Sequence, residues 1–177
     1  MPDFLLKDLQ TIETERLLLR MFNLQDAPLI LDLLNQPSFI TNIGDRGVRN
    51  LADAEEYIKN GPLESYEQNG FGLLMVELRQ DRNSLGMCGL IRRKELEDVD
   101  IGFAFLPRYW GKGYADESAR AVLTFARQMV RLKRVVAIVS PSNQSSIRLL
   151  TKIGMSFEKK MPWPADGSQL DVYGIQW

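Results

Sequence analysis

Apolar residues recur along the chain in two rhythms, and each switch between them marks a new element. Arg16–Phe22 (RLLLRMF) is an apolar run of strand length. From Asp26 the spacing changes. Ile30, Leu33 and Leu34 fall on one helix face, with Pro28 in the first turn, where a missing N–H costs little. Asp26 is the candidate cap, and Pro37 predicts the end of that helix. Asn50 and Asp53 form a capping pair for a second helix through Ile58, which Gly61-Pro62 should stop. Three short apolar runs come next: Gly72–Leu78, Gly86–Arg92 and Val99–Phe105. Polar turns such as Gln80–Ser84 and Glu95–Asp98 separate them, which predicts an antiparallel meander. Ala115–Val130 returns to helical spacing, with Ala115, Ala119, Val122, Leu123, Ala126 and Val130 on one face. Arg134–Val139 is a buried strand. Asn143–Ile153 is a helix closed by Gly154 as a left-handed cap. Phe157–Lys160 and Leu170–Gln176 complete the pattern as a strand pair around the loop Met161–Ser168.

This order mixes antiparallel strands with a parallel crossover. It predicts an α+β (mixed α/β) fold: a central mixed, mostly antiparallel sheet of about seven strands flanked by helices. The 177 residues contain no internal repeat and no Gly/Ser linker, so residues 1–177 are expected to form one domain. A 45% hydrophobic and 25% charged composition is that of a globular protein. The longest apolar run, Val135–Val139, is far short of the ~20 residues of a membrane span. The N-terminal segment lacks the basic and apolar regions of a signal peptide, and the cytoplasm is the expected location. A net charge of −1 with scattered basic residues argues against a nucleic-acid partner.

The chain has no histidine and one cysteine, Cys88. This excludes a Ser-His-Asp triad, a Cys-His dyad, a His-ligated metal, an internal disulfide and a zinc site of several cysteines. No metal is expected. Proton transfer near neutral pH falls to a carboxylate, a hydroxyl, the thiol, a lysine or water. Cys88, within Gly86-Met87-Cys88-Gly89-Leu90, is expected to be a core residue.

The segment Pro107–Ala115 joins a strand to a helix and carries readable chemistry. Gly111 and Gly113 remove Cβ atoms where a backbone could approach a ligand. Alternating glycines let successive N–H groups converge as an anion nest, and the helix adds its unpaired N–H groups and positive dipole end. Arg108 and Lys112 add two cations. Together they make a seat for a diphosphate. A Walker loop fails, because Leu106 stands at its first glycine and Gly113 at its Ser/Thr. A dinucleotide fingerprint fails at Asp116. The alternative is a glycine-rich turn that merely reverses the chain. Asp116 and Glu117 favour that alternative, since they would repel phosphate and satisfy the dipole themselves. For Asn143–Ser146, plain helix capping is the alternative.

Arg108-x-x-Gly111-x-Gly113 matches the (Gln/Arg)-x-x-Gly-x-(Gly/Ala) signature of the GNAT acetyltransferase superfamily. The wider run, from Ile101-Gly102-Phe103 to Pro107-x-x-Trp110-Gly111-Lys112-Gly113-Tyr114-Ala115-x-Glu117, resembles its ribosomal-protein N-acetyltransferase-like (Rim-type) branch. Asn143-x-x-Ser146 through Lys152-x-Gly154-Met155 matches that branch's second motif, with Met155 for the usual Phe. Thr14-Glu15-Arg16-Leu17-x-Leu19-Arg20 matches its opening. The resemblance covers roughly residues 12–176.

The resemblance implies a single GNAT-type domain and acetyl-CoA as co-substrate. It implies direct acetyl transfer to a primary amine, either a protein N-terminus or a small molecule. Backbone N–H groups of Trp110, Gly111, Lys112, Gly113, Tyr114 and Ala115, beside Arg108, would hold the CoA diphosphate. Phe103, Ala104 and Phe105 would pair with the pantetheine arm, which the family slots between this strand and the next. An N–H near Phe103 or Ala104 would polarise the thioester carbonyl, and Asn143 would contact pantetheine or fix the slot. Asp100 is the first choice for the base, ahead of Glu97 and Glu95, against the alternative of a solvated acidic turn. Many members use a tyrosine acid in the second motif, but Leu150 stands there. Ser146 matches the serine with that role in the Rim-type branch; its alternative is a pantetheine contact or a helix-start hydrogen bond. Met161–Pro164 would form a rigid loop near the acceptor or a mere surface connection. A catalytically silent acyl-CoA-binding sensor or scaffold is the competing function. No nucleic-acid or membrane partner is expected, and a monomer and a homodimer are both compatible.

Overall fold

The computed structural model describes residues 11–177. Eight strands form one sheet in the order β1-β2-β3-β4-β5-β6-β8-β7. They are β1 (Thr11–Glu13), β2 (Leu17–Arg20), β3 (Leu73–Leu78), β4 (Ser84–Ile91), β5 (Asp100–Phe105), β6 (Arg134–Val139), β7 (Ser156–Pro162) and β8 (Gln169–Gln176). The helices are α1 (Ala27–Leu34), α2 (Pro37–Asn42), α3 (Leu51–Ile58), α4 (Glu64–Asn69), α5 (Tyr114–Gln128) and α6 (Gln144–Lys152). The expected meander is present as the antiparallel run β2 to β5, and β5–β6 is the parallel joint. The sheet is therefore mixed and mostly antiparallel, flanked by helices as expected, with eight strands rather than about seven. The extra strand is the three-residue β1, too short for a periodic signal and defined only by pairing with β2.

Strand alternation feeds two cores, one on each face of the sheet. Leu74, Val76, Ile101 and Val135 pack with Ala119, Val122 and Leu123 of α5 and with Leu150 of α6. Met75, Met87 and Ala104 point the other way, onto Ile30 and Leu33 of α1, Phe39 of α2 and Ile58 of α3.

Four local expectations are corrected. Pro37 does not end a helix; α1 has already stopped at Leu34, and Pro37 opens α2 at the position where proline needs no donor. Gly61-Pro62 does not stop the chain's helical course. One π-helical turn, Lys59–Leu63, takes up the proline, whose missing N–H the widened turn tolerates, and α4 continues to Gly70 at φ 74°. The Asp26 side chain does not cap α1. It accepts from the Asn23 N–H at 2.9 Å and binds Arg20, whose second partner is Glu77. β7 also runs on to Pro162, which shortens the expected loop to residues 163–168. No helix among the described residues is long and apolar enough to cross a membrane.

Candidate active site

The parallel joint is where the sheet opens. β5 and β6 share a single paired position, Asp100 with Val136, latched by the Val136 N–H donating to the Val99 carbonyl at 2.9 Å. Beyond that latch the strands diverge. A cleft of about 1230 Å³ is lined by Asp100–Ala104 of β5 and Ala137–Val139 of β6, with Asn143, Ser146 and Leu150 behind them. Successive residues of a strand aim their backbone groups to opposite sides. Val99 bonds toward β6, and the Leu106 N–H bonds back to Leu85 on the β4 side. The backbone groups of Ile101, Phe103 and Phe105 therefore point toward β6, and those of Gly102 and Ala104 face β4; the Ile101 N–H is spent in the Asp100–Val136 pairing, so Phe103 is the first to face the opening. Of the two amides expected to polarise a carbonyl, Phe103 offers its N–H to the cleft and Ala104 does not. The Phe105 carbonyl is already taken by the Trp110 indole N–H at 2.8 Å.

Past Phe105 the chain enters the glycine loop, which lies outside the cleft lining. Gly111 (φ 73°) and Gly113 (φ 82°) both adopt the left-handed backbone that a Cβ disfavours. Trp110 drops out of the expected donors, because its N–H closes the preceding turn onto the Pro107 carbonyl at 3.0 Å. Among the described residues, none accepts a hydrogen bond from the N–H groups of Gly111–Asp116. The Glu117 N–H is the first to bond within the helix start, to the Gly113 carbonyl at 3.0 Å. Unpaired donors on an exposed loop at the head of a 15-residue helix are groups that could hold an anion. Lys112 and Arg108 both lie over the Tyr109 ring, and Arg108 makes a loose contact with Asp32 at 3.3 Å.

The two acidic residues that favour a plain turn in sequence are both accounted for. Asp116 pairs with Arg120 at 3.0 Å and Lys152 at 3.1 Å. Glu117 accepts from the Thr14 hydroxyl at 2.6 Å, the Arg16 N–H at 2.9 Å and the Arg16 guanidinium at 2.7 Å. Burial opposes its charge, but those hydrogen bonds outweigh it and hold its pKa below the ordinary value.

Asp100 is 1% exposed, so the acidic turn expected as its alternative does not describe it. Burial pushes its carboxyl up to about 6, against the lowering charge and hydrogen bond of Arg93. Arg93 Nε donates to Oδ2 at 2.6 Å, while Oδ1 is buried with no hydrogen-bond partner among the described residues. The Ile138 amide lowers the pKa further without a bond of normal geometry to Oδ1. Arg93 also lies over the Trp163 ring at 5.8 Å, so Trp163 of the β7–β8 loop faces the cleft together with Tyr57 of α3. Burial raises the Tyr57 phenol above its ordinary value, opposed by the charges of Arg46 and Arg93.

Asn143 caps α6, accepting from the Ser146 N–H at 3.2 Å and the Ser145 hydroxyl at 3.0 Å. Its amide NH2 is what it has left for a ligand. Ser146 lines the cleft, and its hydroxyl has no hydrogen-bond partner among the described residues. Leu150 is 1% exposed and supplies no acid. Cys88 is fully buried and its thiol is pushed up to about 12, which makes it no nucleophile.

The sheet is thus split at a parallel joint, with a glycine loop of unpaired amides past one end and a buried carboxylate at the other. The acetyltransferase (GNAT) domain model matches residues 16–156, and the chain belongs to that family of acetyltransferases. Among relatives, the uncharacterized protein YkkB of Bacillus subtilis is 31% identical over 150 residues, covering 82% of this chain and 85% of that one. The uncharacterized N-acetyltransferase p20 of Bacillus licheniformis is 30% identical over 175 residues, covering 93% and 94%. Among solved structures, an acetyltransferase from Agrobacterium tumefaciens superposes with a TM-score of 0.82 at 26% identity, covering 96% of each chain. The ribosomal L7/L12 α-N-protein acetyltransferase RimL, in complex with coenzyme A, shares the fold with a TM-score of 0.81 at 14% identity, covering 94% of this chain and 98% of that one.

Proposed function

We propose that this acetyltransferase is one domain that takes acetyl-CoA as donor and passes the acetyl group directly to a primary amine. One observation carries the proposal: the anion seat and the buried carboxylate lie at opposite ends of the same opened strand. β5 rises about 3.3 Å per residue, so Asp100 stands about 16 Å along the strand from Phe105. An extended acyl donor anchored by its diphosphate on the Gly111–Asp116 amides would lie along β5 beyond the latch, where Phe103 offers its backbone groups, much as an added strand would.

Acetyl-CoA supplies an acyl group activated as a thioester. The rest falls to this chain. The Phe103 N–H stabilises negative charge developing on the acyl oxygen. Asp100 Oδ1 accepts the proton of the attacking amine, and a pKa near 6 leaves it mostly ionised at neutral pH yet basic enough to help. The Ser146 hydroxyl stands nearest in role to a proton donor for the departing thiolate. The Asn143 amide steadies the wall of the slot. Trp163, Tyr57 and Arg93 shape the mouth that admits the amine.

A panel of free amines, polyamines and peptides with free N-termini tests the proposal, with release of free CoA as the signal. Turnover with at least one amine is the expected result. Tight acetyl-CoA binding with no CoA released by any amine would point instead to an acyl-CoA sensor.

A further inference from the structure

We infer that Arg16 is the positioning residue of the diphosphate loop; this rests on the proposed seat at Gly111–Asp116. Arg16 lies between β1 and β2, far from the loop in sequence, yet its side chain is built into the loop's outer wall. Its Nε donates to Glu117 Oε2 at 2.7 Å, and its Nη1 donates to the Lys112 carbonyl at 2.9 Å. Its guanidinium lies over the Tyr114 ring at 4.6 Å. Its Nη2 makes no hydrogen bond among the described residues and stands 3.2 Å from where a Gly113 Cβ would sit.

Two of these contacts, to Glu117 and to the Lys112 carbonyl, hold in place groups that would repel an anion. In a nest the N–H groups turn to one side only if the intervening carbonyl turns to the other. Arg16 holds the Lys112 carbonyl on that other side. A bare carboxylate in the first turn of α5 would compete with phosphate for the helix dipole. Arg16 and Thr14 neutralise Glu117 and tie it to the β1–β2 connection. Gly113 is then needed twice, for its positive φ and to leave room for the guanidinium. The fork of Nε and Nη1 and the stacking on Tyr114 are arginine's geometry, which lysine does not reproduce. The Thr-Glu-Arg opening and the glutamate after the glycine loop are thus two halves of one clamp.

The test compares two donors: acetyl-CoA by calorimetry, and S-acetyl-pantetheine, which has the same thioester arm and no phosphate, by NMR titration. Wild-type protein should bind acetyl-CoA far more tightly. Arg16→Ala should weaken acetyl-CoA by about tenfold or more, the scale of lost charge-assisted hydrogen bonds, and move S-acetyl-pantetheine by less than about twofold. Arg16→Lys should not restore the affinity. Glu117→Gln, which keeps one acceptor oxygen, should fall in between and serves if Arg16→Ala does not fold. Unchanged acetyl-CoA affinity, or equal losses for both donors, would overturn the role of Arg16. A wild-type protein indifferent to the phosphates would overturn the seat itself, and the clamp with it.

Discussion

A carboxyl group taken out of water holds its proton longer, and at Asp100 this links stability and rate to pH. Its folded pKa of about 6 lies above the ordinary 3.8, so the unfolded chain releases this proton first. Between about pH 4 and 6 the folded state binds more protons, and this group makes the fold less stable as pH rises through that window. Asp100→Asn removes the effect. The melting temperature of the variant relative to wild type should rise from pH 4 to pH 6; a constant difference would show that Asp100 ionises normally. In the reaction the same shift sets an acid limb. kcat/KM should fall as pH drops through about 6, and Asp100→Asn should lose that limb while keeping acetyl-CoA affinity. Arg93→Ala removes the charge that lowers the pKa, so the limb should move to higher pH. A limb that stays in place would separate Arg93 from the base. Gly111 makes a different point. A Cβ built there meets no atom of the described residues within 4 Å, so their packing does not need the space. The positive φ costs a side chain only about 1–2 kcal/mol. Gly111→Val should therefore stay folded yet lose at least about a hundredfold in acetyl-CoA affinity by calorimetry, since its branched side chain occupies phosphate space. Unchanged affinity would move the diphosphate elsewhere. Asp100 and the glycines are legible as residues because each sits in a short local pattern. Arg93 is not, because in sequence it belongs to a charged turn, and only the fold reveals it as the counter-ion of a buried carboxylate. Arg16 is visible as part of the opening motif, but its partner Glu117 is 101 positions away.

Elements with a strong period match their sequence expectation closely. The buried strand at Arg134–Val139 appears with the same bounds, and α5 starts one residue before Ala115. Contacts rather than period set the elements that the pattern misses: the three-residue β1, the π turn around Pro62 and the extension of β7 through Met161-Pro162. α5 serves two tasks at different ends. Its N-terminus presents the open amides, and its middle buries Ala119, Val122 and Leu123 against the sheet. Leu123→Ala should cost about 2–5 kcal/mol of stability in urea unfolding, the usual range for a core leucine. Because Leu123 lies more than two turns from the loop, acetyl-CoA affinity of the folded protein should change by less than about twofold. A large loss of affinity would mean that the loop depends on the packing of the whole helix rather than on the Arg16 clamp.

Among the described residues the sheet has one parallel joint, and the proposed site lies there. Six of its neighbouring pairs are antiparallel and pair over at least three residues, two of them with a bulge; β5 and β6 meet at one position. A parallel pair already needs a crossover, here α5, and that crossover brings the glycine loop to the end of the same strand whose other end carries Asp100. The split joint, the glycine loop and the placing of Asp100 are thus consequences of one topological choice. The crossover is readable from the order of elements. The divergence after Val136 is expected only from family resemblance, because no local pattern encodes the absence of pairing. A crystal structure with acetyl-CoA bound tests this most directly. The diphosphate should rest on the amides of Gly111–Asp116, with the acetyl carbonyl oxygen within hydrogen-bond distance of the Phe103 N–H. A diphosphate seated away from that loop, or an acyl arm lying outside the opening between β5 and β6, would contradict it.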